Sequence, residues 1–218
     1  MTDAKQHLEA IQDIKQMMER SSRFISLSGW SGIAAGVCAL VGAYFAYDVI
    51  GKPPYWHGKL YKAPRTINYN TSVSLQEYMG SKLFTIAILT FVAALISAFV
   101  FTYIRSRKKG IPIWTTSSRR LIISVSIPML AGAIYLMKLI DIGTYGMIAP
   151  GCLIFYGLAL LNGSKYTIGE IRYLGYGQLI LGFISCWFIG YGLYFWAMGF
   201  GVLHIFYGAI MWWKYERK

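Results

Sequence analysis

Few side chains in this sequence could do chemistry. Lys138 and Asp141 are three residues apart, so on a helix they face one another and could hold a polar solute or relay a proton. Snorkelling of both toward lipid headgroups is the plainer alternative. His204 is the titratable group set deepest in an apolar stretch. A lone histidine more often satisfies a hydrogen bond inside a helix bundle than it binds haem or metal. Haem held by two histidines would need a second one at depth, and His7 and His57 both lie outside the apolar stretches. Gln178 is a polar group able to cross-link helices. Cys38, Cys152 and Cys186 form no CxxC, so they read as small hydrophobes rather than a zinc or redox site. No H-E-x-x-H, G-x-S-x-G, P-loop or dinucleotide fingerprint occurs. An acid–base carboxylate pair at depth is lacking too. No catalytic residue, metal site or cofactor is expected, and the chain does not read as an enzyme.

The candidate polar site of Lys138, Asp141, His204 and Gln178 needs a scaffold, and composition says which kind. Hydrophobic residues make up 56% of the 218 and charged residues 14%, against about 25% in soluble domains. Disorder and a disulfide-stapled miniprotein are thereby excluded, and an integral membrane protein remains. A hydrocarbon core about 30 Å thick asks for roughly 20 apolar residues per helix. Six segments are expected to cross: Phe24–Tyr47, Leu83–Ile104, Leu121–Ile140, Thr144–Leu161, Ile171–Phe195 and Trp196–Trp213. The last two run together, with only Gly192 and its neighbours as punctuation; five spans is the alternative count. The fold class is an all-α six-helix transmembrane bundle, residues 24–218. A cytosolic amphipathic helix (1–23) precedes it, and an outer loop (48–82) with β content interrupts it.

Net charge is +12, from 21 Lys and Arg against 9 Asp and Glu. The basic residues lie mainly between apolar stretches, and no aromatic-plus-basic module accompanies them, so nucleic acid is not an expected partner. They set orientation instead. Arg105, Arg107, Lys108, Lys109, Arg119 and Arg120 cluster between spans two and three, which puts that loop in the cytoplasm. Parity adds Lys165, Arg172, Lys214, Arg217 and Lys218 to the same side, with Lys5, Lys15, Arg20 and Arg23. The outside retains Lys52, Lys59, Lys62, Arg65, Lys82 and Lys138. Both termini are then cytoplasmic. Tyr44, Tyr47, Tyr55 and Trp56 mark the outer boundary, and Trp114, Trp212, Trp213 and Tyr215 the inner one.

Leu8, Ile11, Ile14 and Met18 recur at helical spacing, opposite Glu9, Asp13, Lys15, Glu19 and Arg20. Balanced charge favours a helix that docks on protein over one that binds lipid, and a solvated extension of the first span fits the same apolar stripe equally well. A signal peptide is not expected, since the first apolar run begins only near Phe24. In the outer loop, Ile67, Tyr69, Thr71, Val73 and Leu75 alternate with polar residues, the period of a half-buried strand. Ser74 and Glu77 then form a capping box leading toward span two.

Ile154-Phe155-Tyr156-Gly157 is echoed by Ile205-Phe206-Tyr207-Gly208, which suggests repeated in–out–in hairpins. Ser28, Gly32 and Gly36 recur every four residues, a stripe that lets helix backbones approach closely, within the bundle or in a dimer. Pro128 and Pro150 are expected to kink spans three and four.

The stretch Arg20-Ser21-Ser22-Arg23-Phe24-Ile25-Ser26-Leu27-Ser28-Gly29, leading into the first span, resembles small uncharacterised multi-pass bacterial inner-membrane proteins. The resemblance implies a helix-plus-six-span layout in the inner (plasma) membrane and carries no functional residue. The expected role is a non-enzymatic sensing or complex-assembly module, with a small-solute transporter or channel as the alternative. Expected partners are the lipid bilayer, a cytosolic or envelope protein, and a second copy of the chain.

Overall fold

The computed structural model describes residues 28–50, 80–110 and 113–217. The expected amphipathic helix at 1–23, the strand near 66–75 and the Ser74/Glu77 box lie outside them. Among the described residues all regular structure is helical. We label the helices α1 (Gly29–Ile50), α2 (Lys82–Lys109), α3 (Thr116–Asp141), α4 (Ile148–Gly163) and α5 (Ile171–Trp187). The sixth, α6, comprises Gly192–Trp196, a π-helical Ala197–Leu203 and then His204–Tyr215.

Five of these rods, all but α5, are long and apolar enough to cross a membrane, α4 when the 3-10 turn Tyr145–Met147 that leads into it is included. At 17 residues α5 reaches about 25 Å, a little under a typical hydrocarbon core. Their outward faces carry the side chains that lipid, not water, would cover. Leu89, Leu95, Ile96 and Phe99 on α2, and Ile123, Ile127, Leu130 and Ile134 on α3, are all more than half exposed. A helix suits that setting because it satisfies its own backbone hydrogen bonds.

The boundary between the last two rods differs from the expected one. The expected spans ended at Phe195 and began at Trp196; instead α5 stops at Trp187 and α6 starts at Gly192. The turn between them, Phe188 to Tyr191, is as apolar as the helices, so hydropathy is blind to it. Gly190 makes the turn at φ 102°, which side-chain-bearing residues rarely adopt. Pro150 also departs from expectation. It sits in the first turn of α4, where backbone N–H groups have no helical partner to lose, so it starts the helix rather than kinking it. Pro128 lies inside α3.

Packing is a row with a branch. Helix α2 packs on α1, α1 on α6, and α4 on α3, α5 and α6. Helices α2 and α3 flank the row, each leaning mainly on one neighbour. Leu160, Ile171 and Leu174 form a buried cluster with Tyr156, Leu203 and Tyr207 against it. The two copies of the Ile-Phe-Tyr-Gly motif serve matching crossings. A Cβ on Gly157 would lie 2.9 Å from the Gly175 carbonyl of α5, and one on Gly208 would lie 2.6 Å from the Gly29 carbonyl of α1. In both crossings glycine is what lets two backbones touch. Gly32 and Gly36 line the same α1–α6 seam, against Gly208 and Gly201.

Local capping fixes several helix ends. Ser81 caps α2 at Phe84 N, and Thr115 with Ser118 forms a reciprocal capping box on α3. Asn162, just past the expected end of span four at Leu161, belongs to α4. Its amide donates to the Ser124 carbonyl (2.8 Å) while Ser124 Oγ donates to the Asn162 carbonyl (3.2 Å), clasping α3 to α4.

Candidate functional site

Polar groups gather in two places, one within the bundle and one at its basic end. The inner node forms where α4, α5 and α6 meet. There α6 is π-helical, and the wider turn brings the Gly199 carbonyl toward two side chains. His204 Nδ1 lies 3.0 Å from that carbonyl, and Gln178 Nε2 donates to it at 2.8 Å. A carbonyl only accepts, so Nδ1 carries the imidazole proton. Nε2 is then the acceptor, and the Tyr156 hydroxyl donates to it at 2.8 Å. Gln178 Nε2, 3.5 Å from the protonated Nδ1, makes no bond there.

His204 therefore spends both nitrogens inside the protein. Gln178 is wholly buried, and its Oε1 has no partner among the described residues; nor do Ser185 Oγ and Tyr207 Oη. A Cβ on Gly199 would stand 2.4 Å from Leu153 Cδ2 and 2.5 Å from Gln178 Oε1, so both buried side chains would have to shift. Short π segments recur at functional sites. No group of three His, Cys, Asp or Glu gathers as a metal-ligand set among the described residues.

The second node joins three helices at the end that holds Arg105, Arg119, Lys165 and Lys214. The Glu216 carboxylate, just past α6, accepts from Gly29 N (2.5 Å) and Ser28 Oγ (3.1 Å) at the start of α1. It also pairs with the Arg105 guanidinium of α2. A carboxylate at a helix N-terminus is favoured by the helix dipole and the unpaired N–H groups. Ser28, read as a helix-packing residue, thus also ties Glu216 to α1. Nearby, Lys214 Nζ and Tyr215 Oη donate to Glu170 Oε1 at 2.6 and 2.5 Å, pinning the α4–α5 linker to α6. Burial pushes the Glu170 carboxyl up, but these bonds outweigh it and hold it below its ordinary value.

Of the four predicted site residues, the fold brings His204 and Gln178 together and leaves Lys138 and Asp141 apart from them. The latter form an exposed ion pair of 2.6 Å near the end of α3, opposite the basic end. Solvent exposure makes such a pair weak. Sequence reasoning missed Tyr156 as the partner of His204, and missed Arg105 with Glu216. The signals available were the tyrosine in the repeated motif and an acid placed just after the last apolar segment.

An open cleft of about 690 Å³ lies at the basic end between α1, α2 and α6. Trp30, Phe101, Ile104 and Trp212 line it along with Arg105, Lys108 and Glu216. A smaller one of about 270 Å³ sits at the other end, beside Val49 and Lys82. No family model, curated protein or solved structure matches the chain.

Proposed function

We propose that the chain is a six-span, multi-pass protein of a bacterial inner membrane, with both termini cytoplasmic, acting as a non-enzymatic sensing or complex-assembly module. Six alternating rods with the basic residues gathered at one end support the topology, by the positive-inside rule. One observation carries the functional reading. Tyr156 is hydrogen-bonded to His204, and His204 and Gln178 both bond the Gly199 carbonyl, while charged groups and clefts sit at the two ends. That arrangement suits a rigid membrane body presenting its ends and flanks to partners. Photocrosslinking in cells from Leu95 on α2 and Leu130 on α3 tests it. Discrete protein adducts are expected, and lipid adducts alone at both positions refute the assembly role.

A transporter is the second reading. The partnerless Gln178 Oε1 and Ser185 Oγ near a π-helical turn favour it, since buried polar atoms without partners are costly. Solute flux in proteoliposomes that His204→Ala or Lys138→Ala abolishes would establish it in place of the first.

A further inference from the structure

The geometry points to a binding site for the phosphate headgroup of an anionic phospholipid in the cleft between α1, α2 and α6. The inference rests on the six-span topology, which puts this cleft at the inner leaflet. Three observations carry it.

The first is shape. About 690 Å³ is in the range of small-molecule sites and holds a headgroup with the start of an acyl chain. The second is polarity along the depth of the cleft. Phe101 lies one helical turn before Arg105 and two before Lys108, so its apolar wall faces the bilayer interior while the cations stand at the mouth. Trp30 stacks on Phe101 with centroids 6.5 Å apart and meets Trp212 edge-on at 6.2 Å, giving a continuous aromatic wall. Such rings prefer the headgroup layer. The third is charge. Arg105 and Glu216 neutralise one another, and Lys108 is exposed with no ion pair among the described residues. Among the described residues, Lys108 thus adds a positive charge to a mouth where Arg105 is already matched by Glu216. Basic pockets between helices on the cytoplasmic side are where anionic headgroups bind. Glu216 contributes by holding α1, α2 and α6 in position, and its charge is already engaged by Arg105, Ser28 and Gly29.

The test uses the full chain in nanodiscs of equal phosphatidylcholine and phosphatidylglycerol. A benzoylphenylalanine placed at Ile104, an exposed residue of the cleft wall, captures the occupant for mass spectrometry. Phosphatidylglycerol adducts are expected to exceed phosphatidylcholine adducts by about fivefold, the factor for one lysine near an anionic surface. Lys108→Gln should bring the ratio to unity, whereas Arg119→Gln, exposed on α3 outside the cleft, should leave it unchanged. Excess inorganic phosphate should not alter the ratio; if it erases it, the site takes free phosphate and the lipid proposal falls. Adducts in proportion to bilayer composition, or equal loss in both variants, refute the site while leaving the topology intact. Crosslinks only to protein assign the cleft to a polypeptide and overturn the proposal. Absence of any lipid adduct at Ile104 and at the outward-facing Leu95 overturns the membrane topology with it.

Discussion

Glu216→Ala is the substitution with the largest consequence for the least change in shape. It removes a carboxylate that receives a guanidinium, a hydroxyl and a backbone N–H from two other helices. The Arg105 and Glu216 side chains are 8% and 15% exposed, so bulk water compensates neither fully. Removing one partner of a buried pair costs about 3–5 kcal/mol, chiefly because the other charge is left behind. Access to solvent at the end of the bundle and a further interaction of Arg105 place this case near the lower bound, about 3 kcal/mol. Replacing both partners with apolar residues of similar size avoids the stranded charge, so Arg105→Met with Glu216→Met should recover much of that loss. Reversible unfolding in mixed micelles, followed by fluorescence of the Trp30–Trp212 contact beside the pair, reads both quantities. A Glu216→Ala variant within about 0.5 kcal/mol of the native chain would refute the pairing. So would a double variant that loses as much as the two singles added together.

Gly208→Ala should push α1 from α6, because its Cβ would meet the Gly29 carbonyl at 2.6 Å and Ile33 N at 2.7 Å. We expect a loss of about 1–3 kcal/mol. Gly169→Ala, with nothing within 4 Å, should change stability by less than about 0.5 kcal/mol in the same assay. Tyr156→Phe keeps the ring but strands His204 Nε2, which should cost about 1–3 kcal/mol; an unchanged unfolding midpoint would discount the bond. The Glu170 tether is expected to be pH-dependent. Its carboxyl is held below the ordinary 4.5, so the tether is at full strength above that value and is lost as pH falls through the lower folded value. Hydrogen exchange of the Ser164–Glu170 linker should quicken on that acid limb, and Glu170→Gln should remove the pH dependence.

How much of this was legible in the sequence depends on whether the signal was local. Apolar length located the start of α2 to within one residue but ended it five residues early, because Arg105 to Lys109 stop the apolar run while the helix continues until Gly110 closes it at φ 64°. It failed between α5 and α6, where Trp187, Phe188 and Ile189 carry the apolar run through the turn and only Gly190 and Gly192 mark it. The site divided in the same way. Lys138 and Asp141 are paired by local spacing and were readable as a pair. That His204 sits beside Gln178 and Tyr156 depends on three helices meeting, separated by up to 48 residues. The Glu216 contact with Ser28 spans 188 residues, beyond any periodicity in the chain.

The central claim is a body whose helices alternate across the membrane and gather Arg119, Lys165 and Arg217 at one end, with Asp141 at the other. Single cysteines at those four positions, in a background lacking Cys38, Cys152 and Cys186, can be probed in intact cells with a membrane-impermeant maleimide. Our account predicts that Asp141→Cys is labelled from outside, while Arg119→Cys, Lys165→Cys and Arg217→Cys react only after the membrane is opened. External labelling of Arg217→Cys with Arg119→Cys protected would contradict it.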